Sequence, residues 1–490
     1  MKLAVGETFA IPELDGAVPG ASVGPVEERP IHDVYLDTAD FRLARWGCTL
    51  RFRDSEGWTA KIPVPGTGRI LRRSEVTFDA PPDAPPPRMV ALVRPLTRGE
   101  PLTEVARFTT SRFARTWRTP DGRNVVELTD DRVQVQRPDG ERRDWRELEV
   151  ELAPDADEPT LAGIVERLEA AGAQDGGTTP KLMQAVGDPA LGPADIVEPA
   201  LPKKPTAREV IQAAVARSVT DLLLHLPAAR IGQDIEGVHQ ARVATRRLRS
   251  DLRTFRPLLD PDWARSLELD LQWLADDLGK VRDADVLVSR LRVTIEEHPE
   301  LETPGARGVI KALETQRRRD NRTLLDHLNR KRADQLFNRL VEAAANPMTT
   351  PKADDLARDR LPRLVRKRWR RLQRAVDALD PEPPIEDLHR VRILAKRTRY
   401  AAEAVIPAFG PQATAFAKSI AGIQDVLGEL NDAEVAEDWL ATLAETADGS
   451  TAFAAGRMAQ IISTNGLQFR HGWQKHYRRA GRKKLQAWLS

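Results

Sequence analysis

The sequence contains little cysteine, few aromatic residues and no long apolar run. A single cysteine, Cys48, excludes an internal disulfide framework and any metal site built from several thiolates. No apolar run approaches the roughly 18 residues that span a membrane, and the N-terminus lacks a signal-peptide pattern, so we expect a soluble cytoplasmic protein. The net charge is only +2, from 75 basic and 73 acidic residues. An anion-binding surface must therefore arise from local segregation of charge.

A regular basic stripe lies between Val238 and Leu259. Apolar residues recur there at helical spacing and Pro257 marks a helix end, which predicts a helix. The basic residues step by three and four positions, so they share one face over about 21 Å. Because like charges in such a row repel, the row would gain most from an extended polyanion. For one helix alone, a solvated basic face is the competing interpretation. The stripe consists of His239, Arg242, Arg246, Arg249 and Arg253.

The same pattern recurs between Leu388 and Phe409, and a matched segment containing Leu-Gly follows each copy. A repeat of this length predicts two homologous helical halves whose basic faces line one shared groove. The matched positions are His239, Arg242, Arg246, Arg247 and Arg249 in the first copy and His389, Arg392, Lys396, Arg397 and Arg399 in the second.

Other polar residues of the repeat have several possible roles. Asp283 and Asp432 occupy matched positions and are predicted to orient neighbouring arginines through charge-assisted pairs. His239 and His389 lack a partner histidine one helical turn away, so hydrogen bonding or helix packing is favoured over metal ligation. Basic runs at 363–374 and 478–484 are interpreted first as solvated faces, although both could widen the groove.

Residues 1 to about 188 alternate polar and apolar side chains in short segments, as β-strands do. Glu147 and Glu149 share one face of a predicted strand, and Arg51 and Arg53 share one face of another. A charged face and an apolar face on the same strands are both explained if the sheet closes, with the charged residues inside and the apolar residues covered outside. A lumen of cations and carboxylates suits a polyphosphate together with Mg²⁺ or Mn²⁺. An ordinary half-exposed sheet remains the alternative.

The stretch VYLDTADFRLARWGCTLRFRDSEGWTAKIP, from Val34 to Pro63, resembles the signature of the CYTH domain, the triphosphate tunnel fold. The segments RSEVTF, ELTDDRV, ELEVEL and PKLMQAV resemble later parts of that family in the same order. The resemblance implies an antiparallel eight-stranded β-barrel tunnel over residues 1–188 that could hold Mg²⁺ or Mn²⁺. It implies phosphate contacts from Lys2, Arg51, Arg53, Lys61, Arg112 and Lys181. It implies metal or tunnel carboxylates at Glu75, Glu127, Glu147 and Glu149.

The opening strand departs from the CYTH pattern. That family begins with Glu-x-Glu-x-Lys, whose glutamates help to hold the metal. Here MKLAVGETF places Lys2 at the lysine, with no glutamate before it. Either the start of the chain has been assigned too far downstream or the tunnel lacks part of its metal site. Triphosphatase activity is therefore left open.

Residues 206–490 have helical periodicity and follow a proline-rich linker at residues 189–205. The repeated histidine and arginine segments resemble the CHAD domain, a conserved histidine α-helical domain often found after a CYTH domain. The resemblance implies an all-α domain of two pseudo-symmetric four-helix bundles that binds inorganic polyphosphate. The whole chain is thus expected to be a two-domain α+β protein.

Three functions are compatible with these patterns. The favoured one is binding of inorganic polyphosphate by the basic helix faces, with location on polyphosphate granules in the cytoplasm. The alternative is metal-dependent hydrolysis of triphosphate or polyphosphate in the tunnel. Nucleic acid is a disfavoured partner because aromatic residues make up only 5% of the chain and do not interleave with the stripes, as base stacking requires. No membrane partner is expected.

Overall fold

The computed structural model describes residues 1–64, 72–153, 156, 158–231 and 235–489. The chain divides into two compact units, residues 1–195 and 196–490. All strands assigned in the described ranges belong to the first unit, and the second unit is helical over most of its described length. None of the helices in these ranges is both long enough and apolar enough to cross a membrane.

The first unit is built around an antiparallel sheet with the order β10-β1-β9-β8-β7-β3-β4-β5-β6, and β2 pairs with β7. The strands are β1 Lys2–Val5, β2 Ser22–Val23, β3 Glu27–Asp37, β4 Thr49–Arg53, β5 Gly57–Val64, β6 Arg72–Phe78, β7 Thr103–Arg118, β8 Asn124–Gln136, β9 Arg142–Leu152 and β10 Gln174–Asp175. The helices of this unit are α1 Arg42–Arg45, α2 Pro87–Thr97, α3 Glu158–Ala170, α4 Lys181–Val186 and α5 Asp188–Leu191.

The antiparallel arrangement is confirmed, but the expected closure into an eight-stranded barrel is wrong. Ten strands are present in the described chain, and β6 and β10 lie at opposite ends of the hydrogen-bonded order. A closed barrel would require β6 to pair with the strand at the other end of this order, and no such pairing is present among the described strands. Both edges of β1 are already used, because Leu3 lies opposite Leu148 of β9 and opposite Asp175 of β10. The short strand β10 therefore takes the place that a closing strand would need.

Strand register brings charged residues together on one face of this sheet. Lys2 lies opposite Glu149 in the pairing of β1 with β9. Asp131 of β8 lies opposite Arg112 of β7 on one side and opposite Glu147 of β9 on the other. Directly opposed residues place their side chains on the same face of a sheet. The sheet therefore positions a compact set of cations and carboxylates.

The other face of the same strands is apolar and covered by a helix. Leu3, Leu148 and Trp117 are buried there against Ile164 and Leu168 of α3. This packing explains the alternation in β9, where Leu148 is removed from water while the glutamates on either side of it point the opposite way. Burial of this apolar face fixes the strand register and, with it, the positions of the charged residues.

The second unit contains two successive sets of four helices in matched order. In each set a long helical segment follows the basic helix: α8 has 37 residues, and α13 spans 39 residues with a kink at Gly410. The first set is α6 Ala207–Ile231, α7 Ile235–Phe255, α8 Pro261–Glu297 and α9 Pro304–Leu328, followed by α10 Lys331–Ala345. The second set is α11 Ala357–Asp377, α12 Ile385–Glu403, α13 Ile406–Ala444 and α14 Gly449–Leu467, followed by α15 Trp473–Ala480 and α16 Lys483–Gln486.

The two sets share a core. Leu291 of α8 and Val309 of α9 pack in one apolar cluster with Leu440 of α13 and Met458 of α14. Helices α7 and α12 also contact each other. On α7, Leu248 and Leu252 are fully buried, as the helical periodicity of the sequence predicts. The apolar sides of α7 and α12 are buried, so the charged sides of both helices face the same cavity.

Candidate functional site

The second unit contains a basic cavity of about 1150 Å³ with walls from α7, α8, α11 and α12. Eleven basic and three acidic residues line it, an excess of eight cations. This local excess contrasts with the net charge of +2 for the entire chain. The basic lining residues are Arg242, Arg246, Arg249, Arg253, Arg256, Lys280, Lys367, Arg368, Arg371, Lys396 and Arg397, and the acidic ones are Glu268, Asp276 and Asp283.

Most cations of the basic cavity lack a carboxylate partner. Arg242 pairs with Asp283 at 2.9 Å, and Arg253 pairs with Glu268 at 3.4 Å. Within the part of the chain that the structure describes, the other nine have no carboxylate oxygen within 4.0 Å. Like charges held together without counterions repel one another. A bound polyanion would relieve this repulsion.

Burial further destabilises the charged forms of three of these cations. Burial lowers the pKa of the Arg246 and Arg249 guanidinium groups, and neighbouring arginines lower both further. Burial also lowers the pKa of Lys396 to about 7, and Arg246 adds to this shift. Each lowered pKa means that the charged form is less stable in the cavity than it would be in water. Phosphate oxygens at these groups would favour the charged form instead.

Two contacts hold the cationic wall in place. The Arg246 guanidinium lies 5.4 Å from the ring centroid of Tyr400, a buried residue of α12. Arg368 of α11 donates a hydrogen bond of 2.6 Å to the carbonyl oxygen of Arg253 on α7. These contacts join α7 to α12 and to α11, so the charges of three helices keep a fixed separation.

Six of the residues predicted for the stripes line the basic cavity, and five lie outside its lining. Arg247 turns towards Glu403 at 3.3 Å, and Arg399 pairs with the same carboxylate at 3.2 Å. Arg392 lies 3.9 Å from Asp432, which matches the predicted pairing of this aspartate with an arginine. The residues inside are Arg242, Arg246, Arg249, Arg253, Lys396 and Arg397, and those outside are Arg247, Arg392, Arg399, His239 and His389.

Helix α11 contributes more to the cavity than the favoured interpretation of its sequence predicted, although a widened groove was the alternative. Lys367 and Arg371 belong to a run interpreted first as a solvated face, yet both line the basic cavity. Arg368, Arg256 and Lys280 line it as well, although the stripes did not include them. The available signal was the spacing of Lys367 and Arg371, four residues apart and therefore on one helix face.

A second charged group, the sheet cluster, lies on β1, β7, β8, β9 and α4 of the first unit. The carboxylates of Asp131, Glu147 and Glu149 offer oxygens within 4.8 Å of one another. Lys2 Nζ lies 2.6 Å from Glu147, and Lys181 Nζ lies 2.5 Å from Asp131 and 3.1 Å from Glu147. Arg112 Nη2 completes the cluster at 2.7 Å from Asp131 and 3.2 Å from Glu149. Three cations thus neutralise three carboxylates.

Mutual pairing holds Asp131 and Lys181 in their charged forms. Burial alone would raise the pKa of Asp131, but Arg112 and Lys181 lower it below its ordinary value. Burial alone would lower the pKa of Lys181, but Asp131, Glu149 and Glu147 raise it above its ordinary value. Asp131 and Lys181 therefore depend on their partners to stay ionised.

The remaining residues assigned to the tunnel lie outside the sheet cluster and have other partners. Arg53 makes a bidentate pair with Asp33 at 2.7 and 3.0 Å, and Arg51 lies 4.0 Å from the same carboxylate. Lys61 pairs with Glu75 at 3.1 Å near the surface. Glu127 pairs with Arg29, also at 3.1 Å.

The donor set of the sheet cluster fits a hard divalent cation. Three carboxylates converge, and oxygen ligands of this kind are those that Mg²⁺ and Mn²⁺ prefer. Glu147 and Glu149 were expected at such a site, whereas Glu75 and Glu127 are not brought to it. Asp131 is the member that the sequence did not single out. Its only signal was its position in the segment ELTDDRV.

Comparisons with known proteins divide the chain in the same order. The CYTH domain model matches residues 2–175, and the CHAD domain model matches residues 213–441. An uncharacterized protein of Mycobacterium tuberculosis is 30% identical over 94% of this chain and 91% of its own length, and its counterpart in a second strain is equally similar.

Solved structures with similarity to the chain include PptA from Streptomyces chartreusis. It is 23% identical, with a TM-score of 0.47 over 56% of this chain and 99% of that one. The CHAD domain from the plant Ricinus communis is 24% identical, with a TM-score of 0.45 over 60% of this chain and 95% of that one.

Proposed function

Because the chain belongs to the family that joins a CYTH domain to a CHAD domain, we propose that it binds inorganic polyphosphate in the basic cavity of its helical unit. The observation that carries this proposal is the set of eleven cations in the lining, nine of which have no carboxylate partner in the described chain. Binding of this kind would place the protein on polyphosphate granules.

The extent of the basic cavity favours a polymer over a single phosphate. Arg242 and Arg253 lie eleven residues apart on α7, so the cations of this helix extend over about 16 Å. Arginine guanidinium groups bind phosphate oxygens in a bidentate manner. A chain of phosphates can satisfy several such groups at once.

The same lining disfavours nucleic acid. Tyr400 is the one aromatic side chain among the lining residues, it is buried, and the Arg246 guanidinium lies over its ring. Proteins that bind single-stranded nucleic acid stack bases on exposed aromatic rings. The basic cavity offers phosphate contacts without such a platform.

Charge reversal in the basic cavity tests the proposal. The cavity variant carries Arg246→Glu, Arg249→Glu and Lys396→Glu. Its control carries Arg363→Glu, Arg370→Glu and Arg374→Glu. The control also reverses three charges, but on exposed residues of α11 that do not line the cavity. We expect the first to lose affinity for long-chain polyphosphate by roughly 1,000-fold, since hydrogen bonds to charged groups contribute about 1.5–3 kcal/mol each.

The control should stay within about threefold of the native protein at 0.15 M salt, where exposed charges are screened beyond about 8 Å. Titration calorimetry measures both affinities, and circular dichroism verifies that each variant is helical. Equal losses in the two variants would show that general charge, rather than the cavity, attracts the polymer. Full affinity in the cavity variant would refute the proposal.

Metal-dependent hydrolysis of triphosphate by the sheet cluster is a second candidate. It is favoured by the convergence of three carboxylates with three cations, a composition that suits a divalent ion together with a phosphate chain. We expect phosphate release from triphosphate to require Mg²⁺ or Mn²⁺ and to be lost in Glu147→Gln/Glu149→Gln. Absence of release from the native protein with either metal would exclude this activity.

A further inference from the structure

At one pair of matched positions inside the basic cavity, the two repeats carry different basic residues. The second repeat has Lys396, which can titrate, where the first repeat has a permanently charged arginine. The corresponding residue of the first repeat is Arg246, and both side chains line the cavity. An arginine keeps its proton throughout the physiological range, whereas a buried lysine can release its own. The two repeats therefore differ in what they do when pH changes.

The surroundings of Lys396 are strongly cationic. Among the described residues, no carboxylate oxygen lies within 4.0 Å of its ammonium group. On the α8 wall of the cavity, the Asp283 carboxylate pairs with Arg242. Arg246 and Arg242 from α7 and Arg392 and Arg399 from its own helix act on Lys396 directly. The other charged residues that line the same cavity are Arg249, Arg253, Arg256, Glu268, Asp276, Lys280, Asp283, Lys367, Arg368, Arg371 and Arg397.

This environment sets the protonation of the side chain. Burial and the charges of Arg246, Arg392, Arg242 and Arg399 lower the pKa of Lys396 to about 7. Near neutral pH the unliganded cavity therefore contains a mixture of ammonium and neutral amine. Phosphate oxygens entering the cavity would favour the ammonium form, because opposite charges at short range favour ionisation.

We propose that Lys396 couples polyanion binding to proton uptake: the amine takes a proton from solvent when a phosphate chain enters the basic cavity and returns it when the chain leaves. This inference rests on the proposed function of the cavity. By linkage, affinity is greatest below the pKa of the free cavity and falls as pH rises above about 7. One proton changes the affinity by at most about tenfold per pH unit.

His239 titrates in a different range. Its pKa is lowered below the ordinary value of 6.5 by burial and by Arg282. Its neutral form therefore predominates at pH 7 and above. Measurements between about pH 7 and pH 8.5 isolate the lysine, and long-chain polyphosphate keeps the contribution of its titratable chain ends small.

Titration calorimetry of the full-length protein with long-chain polyphosphate tests the coupling. Repeating each titration in two buffers with different ionisation enthalpies gives the number of protons taken up. For the native protein we expect roughly half to one proton per site near pH 7.5 and about tenfold weaker binding at pH 8.5 than at pH 7. Lys396→Arg carries a permanent charge, so it should take up no proton, and its affinity should change by less than about twofold over this range.

Each outcome has a distinct meaning. Binding by the native protein with neither proton uptake nor pH dependence would overturn the coupling and leave polyphosphate binding intact. Unchanged uptake in Lys396→Arg would overturn the assignment to Lys396. Absence of binding by the native protein at pH 7 and below would instead refute the proposed function. If Lys396→Arg does not fold, the native titrations still decide whether protons are taken up.

Discussion

The sheet cluster and the basic cavity use the same kinds of side chain in opposite arrangements. In the sheet cluster three cations and three carboxylates lie within hydrogen-bonding distance of one another. In the basic cavity nine of the eleven cations have no carboxylate partner within the described chain. A near-neutral total charge thus conceals one internally compensated site and one uncompensated site. Local pairing, rather than composition, distinguishes them.

The two arrangements have opposite energetic consequences. A compensated cluster contributes to folding only while every member is present, because removal of one leaves the others buried without a partner. An uncompensated cavity opposes folding through repulsion and is stabilised when an anion binds to the native state. Removal of a single charge should therefore have opposite effects on the unfolding free energies of the two units.

Asp131→Asn should give the largest change in stability. Asp131 is fully buried and neutralises both Arg112 and Lys181, so its loss leaves two partly buried cations with one carboxylate fewer. Breaking a buried pair in this way costs about 3–5 kcal/mol. Chemical denaturation followed by tryptophan fluorescence measures the loss, since the sheet contains Trp58, Trp117 and others that report on this unit.

Arg249→Gln is the matched change in the basic cavity. Arg249 lines the cavity, has no carboxylate partner in the described chain and has a pKa lowered by burial and by Arg253. We expect the free energy of unfolding without ligand to rise or to stay within about 0.5 kcal/mol. A loss as large as that of Asp131→Asn would show that the cavity cations are compensated after all.

The sequence alone predicted those parts of both sites that lie on a single helix or strand. Period and spacing predicted the basic faces of α7 and α12, and alternation placed Glu147 and Glu149 on one face of β9. Partners from other elements were not accessible in this way. Asp131 joins the sheet cluster because β8 and β9 pair in one register, and that register depends on packing of the opposite face.

Two features could not be predicted because they depend on contacts between segments far apart in sequence: the failure of the sheet to close, and the full extent of the basic cavity. Residues Gln174–Asp175 pair with β1, and this contact could not be read from a two-residue segment without its partner. Likewise, α11 approaches α7 through the Arg368 hydrogen bond to Arg253, which no pattern within α11 specifies. Arg247 shows the reverse error: it belongs to the repeat but turns away from the cavity.

Arg247 provides the smallest and most selective test of the comparison. It lies on α7 two residues from Arg249, but it pairs with Glu403 at 3.3 Å and lies outside the basic cavity lining. A compensated cation should contribute little to polyanion binding, so Arg247→Gln should change the affinity for long-chain polyphosphate by less than about twofold. Arg249→Gln should weaken it by about tenfold, because an uncompensated cation loses a charged hydrogen bond. Titration calorimetry of the two variants, which remove equal charge from the same helix, separates pairing from proximity. Equal losses of affinity would mean that the phosphate chain displaces Glu403 and that pairing in the unliganded protein does not decide which cations bind.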